Sequence, residues 1–381
     1  MNFTMARRDI LVARSIVYAI LTNQEDGKPV RKVSCLKRIL RFFYLYWLTF
    51  RPVQPDLFKA LRGVWQINED DYKNSFDIKK QKLKNNKTKR ALVPMGDMGY
   101  SGSTFFHTSD NCFLVKSIPR HFEHDFFKQD MLLPYADHIR VNRSSLLVRI
   151  TDFLESTHQS IGVMLGLAPS HHIIMENVLY GKPHDDQENS NPKWEAWDLK
   201  PTSYFFPERD IAGGALASEA TKSKLADEFN DKILLSDAQA TQFKRQLEND
   251  TLLLANCNAV DYSLFLVRIS SADTPNGEPQ SPLQPGQINN ESVLPTQPPF
   301  SPPNPPTWRT GVTSSNGKEV YRAAILDFFW AKHTIHAKAM TGLIRGYNLI
   351  DDRGPMSITA DSKEYRDRFL NMCVELIEVQ E

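Results

Sequence analysis

The sequence predicts an α+β protein with antiparallel sheets flanked by helices. Segments rich in β-branched and aromatic residues come in pairs that turn residues separate, which is the pattern of β-hairpins. Other segments carry apolar residues at the spacing of amphipathic helices. The chain has 381 residues, so it is long enough to form two lobes with a sizeable core.

The composition is nearly charge-neutral, with 46 Lys and Arg against 45 Asp and Glu, and gives no indication of a nucleic-acid partner. The cysteines are scattered without metal-ligand spacing, which is typical of reduced thiols in an intracellular protein. They are Cys35, Cys112, Cys257 and Cys373. The most apolar run, Ile39 to Phe50, is too short to span a bilayer, and no secretory signal is visible at the N-terminus. We therefore expect a soluble, cytoplasmic protein.

Residues 1–55 are predicted to form a basic, aromatic helical segment. Apolar side chains recur at helical spacing near its end, with basic side chains on the other faces. The apolar positions are Leu36, Ile39, Leu40, Phe43, Tyr44 and Trp47. A helix packed into the core is favoured over one that lies on a membrane surface, and Pro52 and Pro55 end it. A second amphipathic helix, DLFKALRGVWQI, runs up to a turn at Asn68.

A basic run extends from Lys79 to Arg90 and contains seven Lys or Arg residues and no acid. Such a run is usually a solvated loop. The functional alternative is a patch for phosphates or lipid headgroups, where each basic residue near a membrane surface contributes about 1 kcal/mol.

A β-hairpin is predicted at STFFHT and CFLVKSI, with turn residues between the two segments. The two-residue period places Lys116 in line with apolar neighbours, so its ammonium group must reach a partner or the solvent edge. The glycine-rich turn GDMGYSGS precedes the hairpin and allows the backbone to approach phosphates closely. A glycine turn followed by such a lysine is typical of the way in which many kinases hold ATP.

Further elements are predicted along the rest of the chain. Residues 125–136 are predicted to be helical, and SSLLVRITDFLES and HHIIMENVLYG are predicted strands. Ser236 and Gln239 form a capping box at the start of a later helix. Residues 273–307 are predicted to be a disordered insertion, because 11 of the 23 prolines fall there.

Two aspartates stand at the ends of neighbouring predicted strands. Asp261 opens the segment DYSLFLVRIS, and Asp327 closes the segment VYRAAILD. If these strands pair antiparallel, both carboxylates lie at one end of a hairpin, roughly 5 Å apart. Such a pair is costly beside apolar residues unless a cation or a substrate uses it, and a divalent metal that holds polyphosphate is the commonest use. The alternative is a pair of exposed strand-end aspartates.

The order of these parts resembles the phosphatidylinositol phosphate kinase family from Asp56 onward. DLFKALRGVWQINEDDYKNSF is similar to the entry segment of the family, and GYSGSTFFHTSDNCFLVKSI is similar to its glycine loop and the following hairpin. IIMENVL stands at the hinge, WDLKPTS matches the start of Asp-Leu-Lys-Gly-Ser-Thr, and AVDYSLFLVRI matches Met-Asp-Tyr-Ser-Leu-Leu. AAILDFF matches Gly-Ile-Ile-Asp, and EYRDRFLNMCVELI resembles the C-terminal helix.

The resemblance implies roles for individual residues. Lys116 would bind the ATP phosphates, Asp261 would be the catalytic aspartate near the attacking hydroxyl, and Asp327 would hold Mg²⁺. Asp198 and Lys200 would lie near the transferred phosphate. The nucleotide would be capped by Ser101, Gly102 and Ser103 and would meet the hinge at Met175 and Glu176. The loop after Asp327 would select the lipid headgroup through Lys332, Lys338 and Arg345. Glu123 and Asp125 are both candidates for the helix acid that pairs with Lys116.

The resemblance also implies a two-lobed, kinase-like (SAICAR synthase-like) fold, with an N-terminal lobe at 56–181 and a C-terminal lobe at 182–381. The expected activity is ATP- and Mg²⁺-dependent phosphorylation of phosphatidylinositol 4-phosphate at the 5-position. The expected partners are a phosphoinositide substrate and, peripherally, an anionic membrane surface, and a homodimer is compatible with the pattern. Two alternatives remain open: a non-catalytic scaffold that binds phosphoinositides, and a soluble small-molecule kinase related to the synthetases of purine biosynthesis.

Overall fold

The computed structural model describes residues 2–22, 42–43, 45–46, 48–80, 90–97, 103–182, 192–201, 228–270, 306–331 and 360–380. The described helices are α1 (Asn2–Thr22), α2 (Pro55–Val64), α3 (Glu69–Phe76), α4 (His121–Phe126), α5 (Leu132–Val141), α6 (Ile161–Met164), α7 (Asp237–Asn256) and α8 (Ser362–Glu375), with a π-helical turn, Phe127–Met131, between α4 and α5. The described strands are β1 (Phe50–Pro52), β2 (Leu92–Asp97), β3 (Thr104–Thr108), β4 (Phe113–Ser117), β5 (Ile150–Ser156), β6 (His171–Glu176), β7 (Lys193–Leu199), β8 (Ile233–Leu235), β9 (Ala259–Val260), β10 (Ser263–Ser270), β11 (Val312–Thr313), β12 (Glu319–Leu326), β13 (Trp330–Ala331) and β14 (Ile377–Val379). Helices combine with mainly antiparallel sheets, as the sequence predicts.

The first sheet contains six strands in the order β1-β5-β6-β4-β3-β2, and all of its neighbouring strands are antiparallel. The predicted hairpin of STFFHT and CFLVKSI is confirmed as β3 and β4. Lys116 lies in β4, opposite Phe105 on one side and Ile173 on the other. Since β4 is an inner strand, its lysine is held within the sheet and away from its edge.

The second sheet has the order β11-β12-β10-β7. The predicted pairing of the two aspartate-bearing segments is confirmed, because β10 and β12 are antiparallel with Ser263 opposite Leu326. On its other side β10 pairs with β7, and Leu264 lies opposite Leu199. The end of β7, the start of β10 and the end of β12 therefore meet at one edge of this sheet.

The two sheets are joined by backbone contacts between residues 146–148 and β12. The Ile325 amide donates to the Leu146 carbonyl at 2.7 Å, and the Val148 amide donates to the Ile325 carbonyl at 3.0 Å. The prediction of one strand over all of SSLLVRITDFLES is therefore wrong at its start, because β5 begins only at Ile150. The residues before it pair with the other sheet and fix the end of β12 relative to the first sheet.

Two predicted helices are confirmed, although the first, α2, ends at Val64, before the predicted end at Ile67. Helix α2 begins at Pro55, where a missing amide hydrogen is no loss because the first turn has no acceptor for it. Helix α7 begins with the predicted capping box, in which the Ser236 hydroxyl accepts from the Gln239 amide and the Gln239 side chain accepts from the Ser236 amide. Asn68, predicted as a turn residue, is also the N-cap of α3, because its side chain accepts hydrogen bonds from the amides of Asp70 and Asp71.

The N-terminal part differs most from the prediction. Helix α1 lies within the segment predicted to be helical, but its own bounds were not predicted, although Val12, Ile16 and Ile20 recur every four residues and are buried. The helix predicted near residues 36–47 lies mostly outside the described residues, and Phe43, expected in the core, is 61% exposed. The end of that segment forms β1 instead, because Phe50 is buried there in edge contact with the His172 ring.

Several other predictions fall on residues that the structure does not describe. The basic run is described only at Lys79, Lys80 and Arg90, all of them exposed. The proline-rich insertion is described only at its last two residues, 306 and 307. Of the predicted thiols, Cys112 and Cys373 are buried and Cys257 is half-buried, and none of these three forms a disulfide.

A buried ion-pair cluster around Arg62 links α2, α3 and β5. The Arg62 side chain is 1% exposed, and its guanidinium donates to both Glu69 oxygens at 2.6 and 2.9 Å and to the Thr151 carbonyl at 2.7 Å. It also lies 3.5 Å from the buried Asp152 carboxylate. Burial raises the pKa of Asp152 to about 6, and the Arg62 charge opposes part of that rise.

We expect Arg62→Met to destabilise the protein by about 3–5 kcal/mol at neutral pH, because it leaves Asp152 buried without its cation. An acid whose folded pKa is raised favours the folded state below its unfolded pKa, and this contribution is lost as the pH rises through the folded value. Without Arg62 the pKa of Asp152 rises further, so the destabilisation should grow above about pH 6. Denaturant unfolding at pH 5 and pH 8 measures this, with the exposed Lys59→Met on the same helix as the control. A cost that is equal at the two pH values would contradict the coupling.

Candidate active site

Five ionisable side chains from four strands gather where the second sheet faces the first. Asp198 lies in β7 and Lys200 directly follows that strand, while Asp261 precedes β10 and Asp327 follows β12. Lys116 comes from β4 of the first sheet. The structure thus brings together the two aspartates, the Asp-Leu-Lys segment and the lysine that the sequence analysis singled out.

Two ion pairs connect these groups. The Lys116 ammonium pairs with an Asp327 oxygen, and the Lys116 side chain is only 8% exposed. The Lys200 ammonium lies 3.1 Å from an Asp261 oxygen. The rings of Phe105 and Phe329 lie 5.5 and 6.0 Å from the Lys116 nitrogen, so it sits in a partly aromatic pocket. The partner that the sequence analysis expected for this lysine is therefore Asp327.

The pKa shifts show that the charges act on one another. Burial alone would raise the pKa of Asp327, but the Lys116 ammonium, with help from Lys200, lowers it overall. Burial alone would lower the pKa of Lys200, but Asp261, Asp198 and Asp327 raise it overall. Asp327 and Lys200 are therefore both held in their charged forms by their neighbours.

The pKa of Asp198 shifts in the opposite direction from that of Asp327. Burial raises the pKa of the Asp198 carboxyl, and the Asp327 charge adds to the effect against the opposing Lys200 and Lys116 charges. Its Oδ1 atom is buried and has no hydrogen-bond partner among the described residues. An orphaned carboxylate oxygen beside a second carboxylate is a position that a cation would satisfy.

Both Asp261 and Asp327 have left-handed backbone conformations, with φ of 65° and 62°. Such conformations are uncommon for residues other than glycine, cost of order 1 kcal/mol or more and concentrate at functional sites. Here each aspartate turns the chain sharply at a strand end. These are the turns that bring both carboxylates to the same edge of the sheet.

The predicted hinge residues lie at the end of β6. Met175 is 5% exposed and lies between Leu114 of β4 and Ile150 of β5. The Glu176 carboxylate lies 3.1 Å from the Arg309 guanidinium and also accepts from the Arg149 amide at 2.9 Å. The Glu176 side chain therefore links the end of β6 to Arg309 and to the backbone of Arg149. Nucleotide binding at Met175 and Glu176 stays a prediction.

The remaining predicted site residues are only partly described. Ser103 is 3% exposed just before β3, whereas Ser101 and Gly102 lie outside the described residues. The predicted headgroup residues also lie outside them: Lys332, Lys338 and Arg345. Their roles stay predictions.

The electrostatics favour one of the two candidates for the helix acid. Burial raises the pKa of Glu123, and the charges of Arg120 and Lys116 oppose the rise. The Glu123 carboxylate pairs with Arg120 at 3.2 Å, whereas Asp125 contacts His121 at 2.7 Å and His124 at 3.1 Å. Pairing of Glu123 with Lys116 stays a prediction.

Sequence reasoning missed Arg309, which contacts both sheets. It is 7% exposed, and its guanidinium donates to the carbonyls of Ala323, Ser145 and Leu147 in addition to its contact with Glu176. An arginine that follows a proline-rich stretch carries no sequence signal for burial. Its contacts hold β12, and with it Asp327, against the first sheet.

Across the described part of the chain, no helix is both long enough and apolar enough to cross a membrane.

Comparison with known proteins adds to this geometry. The sequence profile of the family described as phosphatidylinositol-4-phosphate 5-kinase matches residues 86–376, which include all of the site. The chain is 29% identical over 220 residues to a probable phosphatidylinositol phosphate kinase of Dictyostelium discoideum, covering 57% of this chain and 27% of that protein. It is 25% identical over 226 residues to human phosphatidylinositol 4-phosphate 5-kinase type-1 beta, covering 57% and 35%. It is 25% identical over 243 residues to the mouse type-1 alpha protein, covering 61% and 37%. The chain thus matches about a third of the length of these relatives.

Proposed function

Because the chain belongs to the phosphatidylinositol-4-phosphate 5-kinase family, we propose that it transfers the γ-phosphoryl group of ATP to a phosphatidylinositol monophosphate. The proposed substrate is phosphatidylinositol 4-phosphate, and the proposed acceptor is its 5-hydroxyl. The observation that carries the proposal is the gathering of Lys116, Asp327, Asp261, Lys200 and Asp198 at one place. In this proposal the two sheets belong to the two lobes of a kinase-like fold, and the nucleotide lies between them.

The donor set fits Mg²⁺. Asp327 and the orphaned Oδ1 of Asp198 supply oxygen atoms, which Mg²⁺ prefers as ligands, and histidine and cysteine are not among the five residues. When bound, Mg²⁺ would neutralise charge on the phosphate oxygens. Lys116 would then be available to the phosphates, with Glu123 as the proposed helix acid beside it.

The transfer itself needs positioning and charge neutralisation more than covalent catalysis. The inositol hydroxyl oxygen bonds to the γ-phosphorus as the bond from that phosphorus to the β–γ bridging oxygen breaks, and ADP leaves. The hydroxyl proton passes to the Asp261 carboxylate. Lys200, 3.1 Å from Asp261, holds this carboxylate in place and adds positive charge beside the transferred group.

The experiment that tests the proposal incubates purified full-length protein with labelled ATP, Mg²⁺ and vesicles that contain one phosphoinositide at a time. We expect labelled bisphosphate from phosphatidylinositol 4-phosphate, and vesicle binding that weakens with salt, as peripheral attachment to an anionic surface requires. The Lys116–Asp327 ion pair is compatible with the non-catalytic scaffold, because the Lys116 ammonium contacts a carboxylate that the metal would need. Vesicle binding without turnover and without Mg·ATP binding would favour that scaffold. Turnover of a soluble acceptor alone would favour the small-molecule kinase.

We expect replacement of Lys332, Lys338 and Arg345 by Ala to reduce lipid phosphorylation at least about tenfold while ATP hydrolysis stays within about twofold, because these residues are proposed to bind the headgroup and not the nucleotide. A control variant removes equal charge at exposed positions elsewhere, with Lys59, Lys318 and Lys363 replaced by Ala. Both variants are measured on the same vesicles. Full lipid kinase activity after replacement of Lys332, Lys338 and Arg345 would contradict the proposal that this loop binds the headgroup.

A further inference from the structure

A second cluster of ionisable side chains lies at the start of α4, outside the proposed active site. It consists of His121, His124 and Asp125, which share one helical face because they are spaced three and four residues apart. One potential ligand atom from each lies within 4.8 Å of the others. The proposed phosphoryl transfer uses none of the three.

The cluster is already arranged around the Asp125 carboxylate. The His121 Nδ1 atom lies 2.7 Å from one Asp125 oxygen, and the His124 Nδ1 atom lies 3.1 Å from the other. The His124 Nδ1 atom is nevertheless buried without a well-formed hydrogen bond to any described residue. A buried ring nitrogen that points at a carboxylate but lacks a hydrogen bond is open to a metal ion.

Neighbouring rings fix the orientation of the His124 side chain. Its ring stacks on that of His171 with centroids 3.6 Å apart and planes 17° apart. The His171 ring is in turn held by the Ser170 hydroxyl, 2.8 Å from its Nδ1. The stacked His171 ring therefore fixes the His124 ring in one orientation.

The donor atoms indicate which class of metal would bind. Two imidazoles with one carboxylate suit Zn²⁺ and similar transition metals, whereas Mg²⁺ and Ca²⁺ prefer oxygen ligands alone. Three protein ligands leave one tetrahedral position for water. The His121 side chain is 77% exposed, so an ion can enter from solvent, while the buried His124 gives the site a fixed anchor.

We propose that His121, His124 and Asp125 bind one transition-metal ion of the Zn²⁺ class, separately from the Mg²⁺ proposed at Asp327. The ion fixes the first turn of α4, which carries Glu123 toward Lys116. The same turn contacts the segment after Asp327, because the Phe122 and Trp330 rings lie 4.5 Å apart. A metal here therefore stabilises the helix that faces the proposed active site.

The test titrates metal-free full-length protein with Zn²⁺ by calorimetry and with Co²⁺ by visible absorption, in the presence of excess Mg²⁺. We expect one ion per chain, absorption bands typical of four-coordinate Co²⁺ with nitrogen ligands, and a higher melting temperature with Zn²⁺. His121→Ala and Asp125→Asn should each weaken binding at least about tenfold, since the loss of a ligand costs no less than the loss of a supporting contact. His158→Ala, outside the cluster, is the matched control and should bind as the wild type does.

His121 is exposed, so His121→Ala is expected to fold normally, and circular dichroism checks this. Absence of binding to the wild type, or unchanged affinity in a folded His121→Ala variant, would overturn the proposal. Displacement of Zn²⁺ by millimolar Mg²⁺ would also overturn it, because imidazole ligands do not favour Mg²⁺. None of these results depends on kinase activity, so the site and the proposed function are tested independently.

Discussion

Asp327→Asn is expected to abolish phosphoryl transfer, with a loss in kcat on the order of 10³-fold or more, which corresponds to about 4 kcal/mol. The substitution keeps the size of the side chain but removes the negative charge that the proposed metal needs. It also removes the ion-pair partner of Lys116, whose side chain is only 8% exposed. Single-turnover transfer to phosphatidylinositol 4-phosphate measures the chemical step, and Mg²⁺-dependent nucleotide binding measures the metal site.

A control separates the loss of the metal ligand from a general loss of charge. Asp137 is an exposed aspartate on α5, and its side chain is 74% exposed, so Asp137→Asn should leave the rate unchanged. The melting temperature of both variants shows whether the Asp327 position also supports the fold. Transfer by Asp327→Asn within tenfold of the wild-type rate would show that Asp327 does not hold the catalytic metal.

The placement of Asp261 and Asp327 at one edge of the sheet was predictable because it follows from local patterns. Each aspartate stands at the end of a β-branched segment, and two consecutive strands usually pair antiparallel. The register then follows from the apolar faces, and the structure has Ser263 opposite Leu326. Positive φ at both aspartates was not predictable, since it is imposed by the turns that bring the strand ends together.

The contact between Lys116 and Asp327 joins residues that are 211 positions apart, and no local pattern fixes it. It depends on the pairing of residues 146–148 with β12 and on the buried Arg309, both of which were missed. Residues 146–148 have the composition of a strand, and sequence cannot tell which sheet such a strand joins. Helix α1 lies within the predicted helical segment at 1–55, and the four-residue recurrence of Val12, Ile16 and Ile20 marks its buried face.

The contact also refines what the lysine does. In the described structure Lys116 neutralises Asp327, and Glu123 pairs with Arg120 at 3.2 Å. Binding of the nucleotide with its metal would have to separate Lys116 from Asp327. In the proposed mechanism Lys116 would contact the phosphates and Asp327 the metal, so the two charges of this ion pair would serve different parts of Mg·ATP.

Lys116→Met is expected to lower kcat/KM for ATP by about 10²–10³-fold, because a buried donor to the phosphates is lost. Without Lys116, burial dominates and the pKa of Asp327 rises, so the acid limb of the rate profile should move to higher pH. Lys116→Arg retains the charge and should move this limb less. The pH profiles of kcat/KM for the wild type and both variants test this, with the KM for lipid expected to change little. A Met variant with wild-type kcat/KM for ATP would show that the nucleotide phosphates bind elsewhere, and an unshifted acid limb would show that Asp327 does not depend on Lys116 for its charge.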